Sequence, residues 1–182
     1  MLAYLFVLLA VAVRVLSGAG VVGTMGFSPL GAALLFFGSR MSRKHYAGPL
    51  ALLILADIYL TTQKYGHSVT WEEGIIWAWY LGAFFLGSLL KDRVKPLYVG
   101  GAALGSALSF FLISNFAAWA AYDMYPKTLH GVMMSYVAGI PFFRGTLESD
   151  LFFSVAMFGT PVFVQALSGW WRKSAHDHVA AA

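Results

Sequence analysis

The chain has 182 residues, of which 59% are hydrophobic and only 11% charged, with a mean hydropathy of +0.71. A soluble domain carries about 25% charged residues, so this composition excludes an ordinary water-soluble fold and leaves little length for one beside a membrane domain. The net charge is +4, and the absence of cysteine excludes disulfides, thiolate metal sites and thiol catalysis. The basic residues sit in short stretches between apolar runs, a layout of topology determinants rather than of a nucleic-acid surface.

Taken in chain order, apolar runs fill roughly 1–17, 24–39, 47–62, 71–90, 97–121 and 150–171. Each is longer than an ordinary strand and none alternates, so helices are expected throughout. The first run has no basic n-region and carries Arg14 inside it, which reads as a retained helix and not as a cleaved signal peptide. The second and third runs are short for full spans.

Arg40, Arg43 and Lys44 follow the second run, Lys91, Arg93 and Lys95 the fourth, and Arg172 and Lys173 the last; together they are eight of the twelve basic residues. The positive-inside rule puts all three clusters, and both termini, in the cytoplasm. The sixteen residues between Lys127 and Arg144 fall short of the roughly 20 a span needs. Crossing there would also split the basic clusters between the two faces, so 128–143 is expected to be an external cap or re-entrant segment. Gly131, Gly139 and Pro141 suit a bent piece of chain. The expected fold is thus an all-α integral membrane protein, a six-helix transmembrane bundle with that cap before the last helix. Residues 1–171 form one domain, and 172–182 a flexible tail whose two histidines are solvated.

In this topology Trp170 and Trp171 mark the inner interface, and Trp71, Trp119, Tyr122 and Tyr125 the outer one. Arg14, Asp57, Asn115, Asp150, Glu72 and Glu73 all fall in the outer half. A charge at membrane depth costs about 3 kcal/mol on insertion scales and usually faces a partner inside the bundle. Arg14 therefore needs Asp57 or Asp150. One reading is an ion pair that locks helix packing; the other is a polar pocket opening outward, where a carboxylate can also take up a proton or a cation. Asn115 and Trp119, four apart on one helix face, either hold a flat heteroaromatic ligand or make a helix contact and an interfacial anchor. Lys127, His130 and Arg144 face an anionic group or water. Gly101 and Gly105 form a small-xxx-small face expected to pack closely on another helix, in the bundle or in a partner. The chain carries no GxxxxGK[ST] loop and no HExxH motif, and no catalytic residue, cofactor or metal site is expected.

The stretches GFSPLGAALLFFG (26–38), LLILADIYL (52–60), NFAAW (115–119) and YPKTLHGVMMSYVAGIPFFRGTLESDLFF (125–153) resemble an uncharacterised bacterial family of small membrane proteins labelled transport proteins. Its hydrophobic layout is similar to the substrate-binding S components of energy-coupling-factor vitamin transporters. That resemblance implies a bacterial inner-membrane location and an outer pocket covered by loops 18–26, 63–70 and 122–149. It implies Asp57, Asn115 and Trp119 against a small polar nutrient, Arg14 and Asp150 as supporting charges, and Lys127 and Arg144 near the entrance. The partners implied are the lipid bilayer, the ligand and an energising membrane subunit. S components commonly dock that subunit through spaced alanines on the first helix; here Ala10 and Ala12 are two apart and Arg14 stands where a small residue is expected. The alternative is a structural or assembly subunit of a larger membrane complex.

Overall fold

The computed structural model describes residues 1–18, 20 and 26–180, with side chains as far as Gln165. Among them are six α-helices and no strand: α1 (Leu2–Gly18), α2 (Leu30–Arg40), α3 (Ala47–Tyr59), α4 (Trp71–Ser88), α5 (Pro96–Ala121) and α6 (Leu129–Ala180). A 3-10 turn at Arg43–His45 precedes α3, and a π turn at Leu60–Lys64 continues it.

The boundaries follow local chemistry. Glu73 Oε2 accepts hydrogen bonds from the Thr70 amide at 2.7 Å and the Thr70 hydroxyl at 2.9 Å, the reach-back of a capping box that starts α4. Pro96 opens α5 at its first position, where a missing N–H costs nothing. At the other end of α5, the Lys127 ammonium donates to the carbonyls of Trp119, Ala120 and Tyr122, so a cation closes a helix C-terminus.

Two corrections to the expected architecture stand out. Residues 128–143 do not form a separate cap: from Leu129 on they are the opening turns of α6, which runs unbroken for 52 residues through Pro141 and Pro161. Gly139 is used for proximity and not for bending. A Cβ there would overlap the Asn115 side chain, and Ser135 donates to the Asn115 carbonyl at 2.9 Å. This packing along α5 holds the helix through Pro141, despite the backbone hydrogen bond that proline removes. Second, two helices and not six are long and apolar enough to cross a membrane, Pro96–Ala121 and Leu129–Gln165. The others are shorter; α2, with 11 residues, extends about 16 Å against a hydrocarbon core of roughly 30 Å.

The short α2 is the axis of the bundle. Every residue from Leu30 to Ser39 is buried, as expected of a helix apolar all round. Tyr4, Phe6, Phe84 and Phe158 pack edge-on or tilted against Phe36 and Phe37, with ring centroids 5.0–5.4 Å apart. The closest helix approach is between α2 and α4: a Cβ on Gly38 would overlap the Phe84 carbonyl, and one on Gly87 the Leu35 carbonyl. Within the bundle the expected close face at Gly101 and Gly105 is not used this way. Gly101 has open space, and Gly105 has only Leu86, at 3.9 Å; the buried stripe of α5 is Val99, Ala102, Ala103, Ser106 and Ala107.

Contacts assign the helix ends to two poles. At one, Tyr4 at the start of α1 shares a hydrogen bond with His45 (2.9 Å), and Arg43 lies over the Phe85 ring of late α4. At the other, the end of α1 meets the end of α3, the Tyr122 hydroxyl after α5 donates to Glu72 at the start of α4 (2.8 Å), and Ser149 of α6 donates to the Ser28 carbonyl just before α2 (2.9 Å). The Arg40–Lys44 and Lys91–Lys95 clusters belong to the first pole. The side chains of Trp170, Trp171, Arg172 and Lys173 lie outside the described residues.

Candidate functional site

At the second pole the bundle is hollow. A cavity of about 700 Å³ lies beyond the N-terminal end of α2, where Leu30 and Gly31 form part of its wall. Just ahead of α2, Gly26 also lines it and takes a left-handed φ of +86°. A side chain there would also press on the Phe142 carbonyl at 2.7 Å, so glycine is required on both counts. The wide π turn after α3 contributes Leu60 and Thr61 to the wall, an irregularity that recurs at functional sites.

Of the seven residues expected from the sequence to serve the ligand, three converge here: Arg14, Asp57 and Asp150 all line the cavity, as do Glu72 and Glu73 of the outer-half group. Between its two potential acids, Arg14 takes Asp57, with Nε 2.5 Å from Oδ1. The second carboxylate oxygen of Asp57 accepts the Tyr80 hydroxyl at 2.8 Å. Asp57 is almost fully enclosed, with 5% of its side chain exposed, while Arg14 keeps 33%. The pair is thus an internally satisfied strut from α1 to α3 and α4 that presents part of the guanidinium to the cavity.

Asp150 differs. It is 1% exposed, and neither carboxylate oxygen has a hydrogen-bond partner. The Ser106 hydroxyl and the Ala32 amide are the neighbouring donors, and neither reaches bonding geometry. The carboxylate lies flat against Gly31, whose absent side chain makes the room: a Cβ there would overlap it. Glu72 also lines the cavity, with one oxygen taken by Tyr122 and the other, Oε2, buried and unpartnered. Apolar walls come from Ile76, Trp79, Phe110 and Phe142. The Trp79 indole N–H donates to Ser109 at 3.0 Å, which fixes the ring's orientation.

Asn115, Trp119, Lys127 and Arg144 are not among the lining residues. The Asn115 amide donates to the Phe111 carbonyl at 2.8 Å, and the Trp119 indole to the Pro126 carbonyl at 2.9 Å. Lys127 closes α5 as described and sits over the Trp119 ring, 5.7 Å from its centroid. Arg144 pairs with Glu148 one turn on, with 81% of its side chain exposed. Among the described residues no cluster of three or more His, Asp or Glu is placed to hold a metal ion.

Sequence reasoning missed Gly31 and the π turn as cavity components, and Tyr80 as the donor to Asp57. Tyr80 was within reach, because Glu72, Ile76 and Tyr80 recur every four residues and so share a helix face. Nothing local announces Gly31, whose role depends on a carboxylate 119 residues away in the chain.

A family of unknown function, DUF6580, matches residues 1–171. No curated protein and no solved structure matches the chain.

Proposed function

The chain belongs to the DUF6580 family, and on that footing we propose that it is a membrane-embedded small-molecule binding or transport protein of S-component-like layout. Its site is the cavity at the end of α2. The observation that carries this reading is the 700 Å³ hollow itself, whose wall includes two acidic side chains with buried, unpartnered oxygens. A helix junction meant only to pack would be filled. Pockets of about 300–1,000 Å³ with a few convergent polar groups are the usual dimensions of small-ligand sites.

Membrane residence is supported by the surface. Large apolar side chains stand exposed on α1 (Leu5, Leu8, Leu9), α5 (Leu104, Leu108, Leu112) and α6 (Val155, Val162, Phe163), far beyond the patches a soluble monomer leaves open. In this proposal the basic pole with both termini faces the cytoplasm of a bacterial inner membrane, and the cavity opens outward. Each stretch that would cover the pocket in the S-component layout contributes wall residues: Gly20 and Gly26, Tyr65 and His67, and Tyr122, Phe142 and Thr146. Transport requires inward access by movement within the bundle or by a partner subunit; no catalytic step is assigned.

The test is mass spectrometry of small molecules released from the full chain purified in mild detergent. Wild type should yield one compound in near-stoichiometric amount, and Ile76→Trp, which puts a bulkier indole into the wall of the hollow, should yield much less. Indistinguishable profiles from the two would refute the reading. A second reading, a structural or assembly subunit, is favoured by one observation: the Arg14–Asp57–Tyr80 network closes on itself and asks for no ligand.

A further inference from the structure

The charges lining the cavity do not balance, and the imbalance names the chemistry of the occupant. Arg14 and Asp57 neutralise one another. Glu73 is turned back onto Thr70. Besides the His67 imidazole in the wall, what remains is acidic: both oxygens of Asp150 and Oε2 of Glu72, buried and without partners. No ion pair among the described residues involves either side chain; the three present are Arg14–Asp57, Lys127–Asp123 and Arg144–Glu148. The residues of the first loop outside the description are Ala19, Val21, Val22, Gly23, Thr24 and Met25, none of which can supply a positive charge. Arg172 and Lys173 lie more than twenty residues beyond Asp150 on the same helix, about 33 Å along its axis.

The N-terminal end of α2 offsets part of the Asp150 charge, since unpaired amides there carry roughly half a positive charge. Glu72, in the first turn of α4, is offset in the same way, which leaves a remainder on both acids. Burying an uncompensated carboxylate is costly, and a cationic ligand removes that cost at both residues. The walls suit the same visitor. Trp79, Phe110 and Phe142 present aromatic surface, which attracts cations through the ring quadrupole. A bare metal ion would neither fill 700 Å³ nor find enough clustered ligands among the described residues.

We infer that the cavity is selective for an organic cation, a compact ammonium or ring-bearing amine, with Asp150 and Glu72 as its counter-ions. This deepens the proposed function and rests on the cavity being a ligand site.

The experiment is titration calorimetry of the purified full chain, in detergent, with three water-soluble probes sharing a benzyl ring: benzyltrimethylammonium, N-benzylacetamide and benzylsulfonate. The cation should bind at least tenfold more tightly than the neutral and anionic probes. Asp150→Asn and Glu72→Gln should each weaken it at least tenfold while leaving the weak binding of N-benzylacetamide unchanged. Glu72 is only part-buried, so its variant keeps the test alive should the Asp150 variant not fold. Equal binding of all three probes, or preference for the neutral or anionic one, overturns the cation assignment and leaves the binding-site reading standing. No binding of any probe, together with no co-purifying molecule, overturns both.

Discussion

Arg14 of α1 and Asp57 of α3 meet at 2.5 Å beside the cavity, and only the acid of the pair is enclosed. This asymmetry sets what each substitution should do. Arg14→Met strands a buried carboxylate with one remaining donor, Tyr80, and should cost about 2 kcal/mol, below the 3–5 typical of fully buried pairs because Arg14 is partly solvated. The double variant Arg14→Met/Asp57→Leu should recover most of that loss. Reversible unfolding in mixed micelles measures both; a double variant no more stable than the single one refutes the strut.

Tyr80→Phe keeps the ring and removes the hydroxyl that donates to Asp57 at 2.8 Å. A hydrogen bond to a charged acceptor contributes about 1.5–3 kcal/mol. The same unfolding assay should show a loss in that range, smaller once Asp57 is already Leu. An equal loss in both backgrounds would mean that the hydroxyl acts elsewhere.

Helix proximity separates the glycines. Gly38→Ala and Gly87→Ala should each force α2 and α4 apart and sharply lower the yield of monodisperse protein. Gly101→Ala and Gly105→Ala meet open space or a single distant methyl, so they should be neutral or stabilising by up to about 1 kcal/mol through helix propensity. Size-exclusion profiles and thermal midpoints decide. Damage at Gly101 equal to that at Gly87 would relocate the tight interface.

Asn115 should matter for packing and not for occupancy. Its amide lies against Gly139 and donates to Phe111, so Asn115→Ala should lower stability by about 1 kcal/mol and leave the amount of co-purified ligand unchanged. Loss of ligand without loss of stability would return Asn115 to the site.

Sidedness can be read directly because the chain has no native cysteine. Single cysteines at Arg43 and Arg93 should react with an impermeant maleimide from the cytoplasmic side only, and one at Met124, 70% exposed at the opposite pole, from the outside only. Labelling of Arg43→Cys and Met124→Cys from the same side would refute the proposed orientation.

Much of the helix layout was legible because apolar runs and their polar breaks are local properties. The run at 71–90 became Trp71–Ser88 and the run at 97–121 became Pro96–Ala121. The opening of α6 was not legible. Gly139 and Pro141 weaken a helix considered alone, and only its packing along α5 shows why the helix continues. Depth reasoning gathered Arg14, Asp57 and Asp150 correctly at one cavity, since like costs drive such groups to a common interior. It also selected Asn115 and Trp119, because spacing along one helix shows that two residues share a face and not what that face meets. The pairing of Arg14 with Asp57 in preference to Asp150 is a matter of which helices are neighbours, and no local pattern encodes it.

The hollow is a property of chain length before it is one of chemistry. The central rod starts at Leu30, and its first two residues stand in the wall of the hollow at one pole. Lengthening that rod by seven residues would plug the chamber whatever side chains surrounded it. The position at which one helix starts therefore governs how large a guest the bundle can admit.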